Sequence, residues 1–283
     1  MLPIKKIYID SQYKTPGSES DSNFNINLPQ SLTFPDNTVF YIDDVSIPHS
    51  WYVIEEGVND RLFIHTVDIN TPLNQLYSVI PIEKGNYFNG VEFANEINSK
   101  INLVVNLQNH PNIYTVTFNV RTNTLKIQSN YSNIKFRVLT PKELITYHNQ
   151  YLQSYDINNP QDINELLGNN MDYSPFYSQT TPYESKQITF QTIRNIYIHS
   201  NIGNFNTIGP RHESSIVKKV PVTSNKGDYI FNQVLTANDY GDCSKQTLRT
   251  LHFELKDSKG KLIPLHGCNF SFSIIFSRME SSL

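Results

Sequence analysis

Eight histidines are the residues most able to do chemistry in this 283-residue chain. They stand at His49, His65, His110, His148, His199, His212, His252 and His266. No two are four apart, so no helix turn offers the paired imidazoles of a zinc site. His252-Phe253-Glu254 puts a histidine and a carboxylate on one face of a strand, but on its outward face. That arrangement predicts a solvated cross-strand pair, not a ligand pair. Asp43-Asp44 would suit acid–base work only if both carboxylates shared a face, and regular strand geometry sends neighbours to opposite faces. Cys243 lies near Asp239 and Asp242, a setting that does not activate a thiol. The sequence has no G-x-S-x-G elbow, P-loop or G-x-G-x-x-G. Gly203 and Gly209 read as turn residues. These observations predict no catalytic residue, no metal site and no bound cofactor.

The formal net charge of −3 gives no basic field for a nucleic acid backbone, and Lys5-Lys6 and Lys218-Lys219 are the only adjacent lysines. Direct nucleic acid binding is not expected. No run approaches the ~20 apolar residues of a membrane span, and MLPIKKIYID does not read as a signal peptide. The two cysteines, Cys243 and Cys268, are expected to be free thiols in a reducing compartment.

The elements that would position any site are mostly strands. Aromatics make up 12% of the chain and charged residues 17%, a balance that favours strands joined by polar loops. Leu251, Phe253 and Leu255 alternate with His252 and Glu254. Phe270, Phe272, Ile274 and Phe276 alternate with Ser271, Ser273 and Ser277, which predicts a buried aromatic face and a wet serine face. Asp257-Ser258-Lys259-Gly260 between them predicts a hairpin turn. One helix is expected within Gly85 to Asn102, where Phe93, Ile97 and Ile101 make an apolar stripe. Residues 141–185 mix two short helical patterns, one opening at Pro141 and one running from Pro160 to Leu167, with polar linkers. They read as an insertion or long loop within one domain spanning residues 1–283. Many short strands, few helices and long connections predict an all-β fold: a single jelly roll, an eight-stranded Greek-key sandwich with one short helix.

With no catalytic chemistry on offer, assembly or adhesion remains. His49, Ser50, Trp51 and Tyr52 follow a proline bend and carry the only tryptophan. They read either as a core tryptophan closing one end of the sandwich or as a subunit-interface aromatic turn.

KKIYIDSQYKTPGSESDSNFNINLP, DDVSIPHSW and TLHFELKDSKGKLIPLHGCNFSFSIIF, in that order, resemble the penton (minor capsid) proteins of Polinton/Maverick and adintovirus-like elements. IGPRHESSIVKKVPV and INELLGN fit as well, so the resemblance runs from about Lys5 to Phe276. It implies a jelly roll related to virophage and adenovirus pentons. The implied role is a non-enzymatic homopentamer at the vertices of an icosahedral capsid, beside a double-jelly-roll major capsid protein. The implied location is the virion, after assembly inside the host cell and without secretion. The resemblance carries no catalytic residues. There is no Arg-Gly-Asp run for integrin attachment and no double glycine for an adenovirus-like protease. A lectin-like or other ligand-binding jelly roll is the alternative from a different class.

Overall fold

The computed structural model describes residues 3–71, 75–107, 110–151, 161–203, 207–233 and 239–278. In chain order the strands begin with β1 (Pro3–Asp10), β2 (Asn23–Thr33), β3 (Thr38–Pro48), β4 (Arg61–Asp68) and β5 (Gln75–Pro81). Helix α1 (Gly90–Val104) and strands β6 (Tyr114–Asn119), β7 (Thr124–Ser129) and β8 (Ile134–Val138) follow. Then come α2 (Pro141–Tyr151), α3 (Asn164–Leu167) and β9 (Tyr183–Glu184). The last part holds β10 (Asn195–Ser200), β11 (Ile216–Pro221), β12 (Tyr229–Asn232), β13 (Gly241–Asp242), β14 (Thr247–Lys256) and β15 (Ser271–Arg278). The chain divides into two compact units, one made of Met1–Trp51 with Ile193–Leu283 and the other of Tyr52–Thr192.

The first unit is the jelly roll. One of its sheets runs β1-β15-β3-β12, with β13 also paired to β3; the other runs β11-β10-β14-β2. All pairings are antiparallel: β1 with β15, β2 with β14, β3 with β12 and β10 with β11. Taken outermost to innermost along the chain, those pairs form one long hairpin rolled into two sheets, which is jelly-roll wiring. The all-β expectation holds, and the alternating patterns explain why. Leu251, Phe253 and Leu255 on β14 and Phe272, Ile274 and Phe276 on β15 all enter one buried core. Across it Phe253 meets Phe272 edge-on, ring centroids 4.9 Å apart. Phe34 stacks on Phe276 at 4.4 Å.

One expected local feature differs. Asp257 to Gly260 does form a tight turn, with Gly260 at φ 77° and Leu262 bridged back to Lys256. It does not join β14 and β15 as a hairpin, because β15 pairs with β1 and β3 in the opposite sheet. Rolled-up wiring requires the chain to cross the sandwich there.

The second unit is inserted in sequence between β3 and β10. Its sheets run β5-β4-β8 and β6-β7-β9. The expected stripe Phe93, Ile97 and Ile101 is buried on α1. Asn89 caps the helix, its side chain accepting from the Glu92 amide at 2.8 Å. Described residues within 141–185 contribute to the core of this unit. Ile163, Leu167 and Tyr183 belong to the buried core of this unit, while Leu144 packs with Phe63 and Leu139. The apolar partners of these residues lie earlier, on β4, β7 and β8. Its second helix is only Asn164–Leu167, stopped by Gly168 in the left-handed conformation, and Pro160 lies outside the described residues.

Candidate functional site

Ile47 and Pro48 end β3, and the chain then turns through His49, Ser50 and Trp51. The His49 amide donates to the Asp228 carbonyl at 2.9 Å, and its ring packs at a tilt against Trp51, centroids 4.3 Å apart. Ser50 Oγ donates to the Leu265 carbonyl at 2.9 Å. Trp51 is only 1% exposed and belongs to the first unit's core. Burial also holds the His49 imidazole below the usual histidine pKa. Of the two sequence readings, the core tryptophan is the one realised within the subunit. The His49 and Trp51 side chains are buried within the first unit. Tyr52 begins the second unit, its amide donating to Glu55 Oε1 at 2.7 Å.

Asp43 and Asp44 depart from the regular strand rule. Phe272 faces Val45 and Ile274 faces Ile42, so two β3 residues lie opposite the single residue Ser273. This is a β-bulge. Ile42 and Val45 both point into the core, which leaves both aspartates on the outer face. Asp43 Oδ2 takes Lys6 Nζ at 3.1 Å, while Asp44 accepts from Ser273 Oγ. The two carboxylates are thus shared out to separate partners. Ser273 is 0% exposed, not on a wet face. Its hydroxyl satisfies a carboxylate inside the sheet, so Ser273→Ala is expected to cost about 1.5–3 kcal/mol. Urea unfolding followed by Trp51 fluorescence measures this, and a cost under about 0.5 kcal/mol would mean that the bond contributes nothing.

At the β11–β13 side of the first unit lies an open groove of about 580 Å³, lined among others by Tyr197, Ile208, Ile216, Lys219 and Tyr240. Lys218 also lines it, and its Nζ reaches across to the Ile42 carbonyl at 3.0 Å. Burial lowers that ammonium's pKa from its ordinary value. His252 and Glu254, the strand pair read from the sequence, are committed elsewhere. His252 Nδ1 meets Asn25 Oδ1 at 3.0 Å, and Glu254 takes Lys256 Nζ at 2.6 Å.

The second unit holds a polar cluster that sequence reading missed. His65 on β4 stacks on Tyr77 at 4.1 Å. Its Nδ1 accepts from Arg137 Nη2 at 3.2 Å, and its Nε2 lies 3.3 Å from Gln75 Oε1. Arg137 Nη1 reaches Glu143 Oε1 at 3.1 Å, and the guanidinium covers the Phe176 ring at 4.6 Å. Tyr147 of α2 completes the surroundings. Burial, then the Arg137 charge, push the His65 pKa down to about 4. A histidine whose folded pKa is depressed binds its proton more readily when unfolded. The stability it contributes is complete above about pH 6.5 and declines as pH falls toward 4, by up to about 1.4 kcal/mol per unit. His65→Gln is expected to flatten that part of the stability–pH curve. Superimposable curves for variant and native chain would refute the assignment. His65, Arg137 and Glu143 are bonded to one another in series, and only Arg137 Nε among the guanidinium nitrogens is left without a partner.

Cys243 and Cys268 are both free thiols. Burial, then Asp242, push the Cys243 thiol up to about 12, away from reactivity. Among the described residues no group of three or more His, Cys, Asp or Glu could hold a metal ion. No described helix is long and apolar enough to cross a membrane.

No protein-family model matches the chain, and no curated protein does. Among solved structures the chain is similar to the mavirus penton protein, at 13% sequence identity and a TM-score of 0.47, over 97% of this chain and 100% of that one.

Proposed function

We propose that this chain is a non-enzymatic capsid protein of the penton class. In this reading it forms a homopentamer at the vertices of an icosahedral virus-like capsid, beside a double-jelly-roll major capsid protein, and resides in the virion. The observation that carries the reading is where the resembling segments fall. KKIYID is β1 and NFNINLP opens β2; DDVSIPHSW ends β3 and enters the Trp51 turn; TLHFELK is β14 and SFSIIF is β15. IGPRHESSIVKKVPV leads into β11. The segments that resemble pentons are thus largely the strands of the jelly roll itself. His49, His199 and His252 and the Asp43, Asp44 and Glu143 carboxylates are each engaged with a neighbour, which suits a building block. The inserted second unit fits as an elaboration carried between two jelly-roll strands.

Native mass spectrometry of the full chain, across a range of concentration and salt, tests the proposal. A five-membered species is expected. A trimer would point to a hexon-like building block, and a strict monomer that binds glycans would favour the lectin alternative.

A further inference from the structure

His65 stands on β4, the middle strand of the β5-β4-β8 sheet, and Arg137 is its cross-strand partner on β8. Since His65 Nδ1 accepts from Arg137 Nη2 at 3.2 Å, the ring proton sits on Nε2 and is donated to Gln75 Oε1 at 3.3 Å. The described titratable and charged groups around the imidazole are Tyr77 on β5, Arg137 on β8, and Glu143 and Tyr147 on α2. Phe176 covers a further side, its ring centroid 5.7 Å away. Glu143 does not stand ready for a charged His65, because Oε1 is on Arg137 and Oε2 is on the Thr140 amide.

A second proton on the ring has one place to go, Nδ1, and there it faces a donor. A guanidinium offers N–H groups and no acceptor. Protonation therefore sets two donors and two positive charges against each other. The imidazole is poorly placed to leave. It lies flat on Tyr77, 4.1 Å away with 6° between the planes, and its strand is paired on both sides. Arg137 has a long flexible stem, and its Nε has no partner to give up.

Arg137 in turn holds the cover of this face. Its Nη1 anchors Glu143 of α2 at 3.1 Å, and its guanidinium lies 4.6 Å from the Phe176 ring. The next residue, Tyr177, donates its amide to the Phe136 carbonyl at 2.7 Å. Leu144 against Phe63 and Leu139 is the apolar part of the same cover.

We propose that His65 is an acid latch: its protonation expels Arg137 and releases α2 and the Phe176 segment from the β5-β4-β8 sheet, while the rest of the second unit stays folded. The latch rests on the second unit alone and is independent of the ring reading. Closed, it holds the His65 pKa at about 4, through burial first and Arg137 second; open, it returns the ring to its ordinary 6.5. The open population therefore rises as pH falls, by about 30-fold between pH 7.5 and 5.

Hydrogen exchange of the full chain at these two pH values, corrected for the intrinsic pH dependence of amide chemistry, tests the latch. Opening at the Leu144 and Tyr177 amides is expected to rise about 30-fold, and at pH 5 to exceed opening at Ile97 and Ile101 on α1. His65→Gln takes up no proton, so its opening is expected to stay flat over this range, whatever its level. Arg137→Met keeps the histidine and removes the facing charge, and it is expected to lose most of the rise. A native chain without the rise would overturn the latch, as would a rise that persists in His65→Gln. A common opening for α1 and α2 at pH 5 would mean that the unit unfolds as a whole, which overturns a local release. Should His65→Gln fail to fold, an undiminished rise in Arg137→Met would overturn the proposal by itself.

Discussion

Phe272→Ala is expected to lower the unfolding free energy of the first unit by about 3–5 kcal/mol. Phe272 is buried on β15 and forms the link between sheets, edge-on to Phe253 at 4.9 Å and stacked with Phe270 at 5.6 Å. Truncation leaves a cavity between two sheets, and neither can collapse into it without disturbing its own strand pairing. Trp51 lies in the same core and is the only tryptophan, so its fluorescence in urea reports this unit alone. Arg249→Ala, at an exposed position on β14, should change stability by less than about 0.5 kcal/mol. Equal effects at the two positions would mean that the core has been assigned to the wrong face.

The second large effect lies in the other unit. Glu143→Ala is expected to cost about 3–5 kcal/mol. The Glu143 side chain is fully buried and holds two groups at once. Oε1 pairs with Arg137 at 3.1 Å, and Oε2 accepts from the Thr140 amide at 3.0 Å. The Thr140 hydroxyl in turn accepts from the Glu143 amide at 3.2 Å, so the two residues form a capping box for α2. Removing the carboxylate uncaps the helix and strands a largely buried guanidinium against an imidazole. Arg137→Leu with Glu143→Leu should recover part of the loss, because no buried charge is left unpaired. Hydrogen exchange of the β4 and β8 amides reads this unit separately from Trp51. A double variant no better than Glu143→Ala alone would show that the cap, not the ion pair, carries the effect.

The strands that were legible in the sequence are those whose two faces meet different environments. Leu251 to Leu255 and Phe270 to Phe276 alternate because one face packs in the core. The Phe93, Ile97 and Ile101 stripe was legible for the same reason at helical spacing. What periodicity does not report is the partner. The Asp257 to Gly260 turn looks like a hairpin locally, and only the sheet pairing shows that the chain crosses the sandwich. The boundary at Trp51 and Ile193 is invisible for a related reason, since strands on either side of it have the same texture. The bulge at Asp43 and Asp44 is set by the register of β15 against β3, over 200 residues away, so the strand rule sent one carboxylate to the wrong face. Ser273 was misplaced with it.

The candidate sites divide in the same way. The Trp51 turn was legible as an aromatic turn after a proline, but its burial depends on Leu265 and Asp228 from distant segments. The His65 cluster was not legible, because His65, Arg137 and Glu143 come from three elements. One signal was available: Thr140-Pro141-Lys142-Glu143 has the spacing of a capping box. It marks the helix start, though not the arginine that Glu143 also meets.

The central claim is a jelly roll that builds a five-fold vertex. Electron microscopy of the purified chain at high concentration tests it most directly, by the symmetry of averaged end-on views. The account predicts five-fold rings in which each copy contacts its neighbours through two different sides. Two-fold or three-fold particles at every concentration and salt would contradict it.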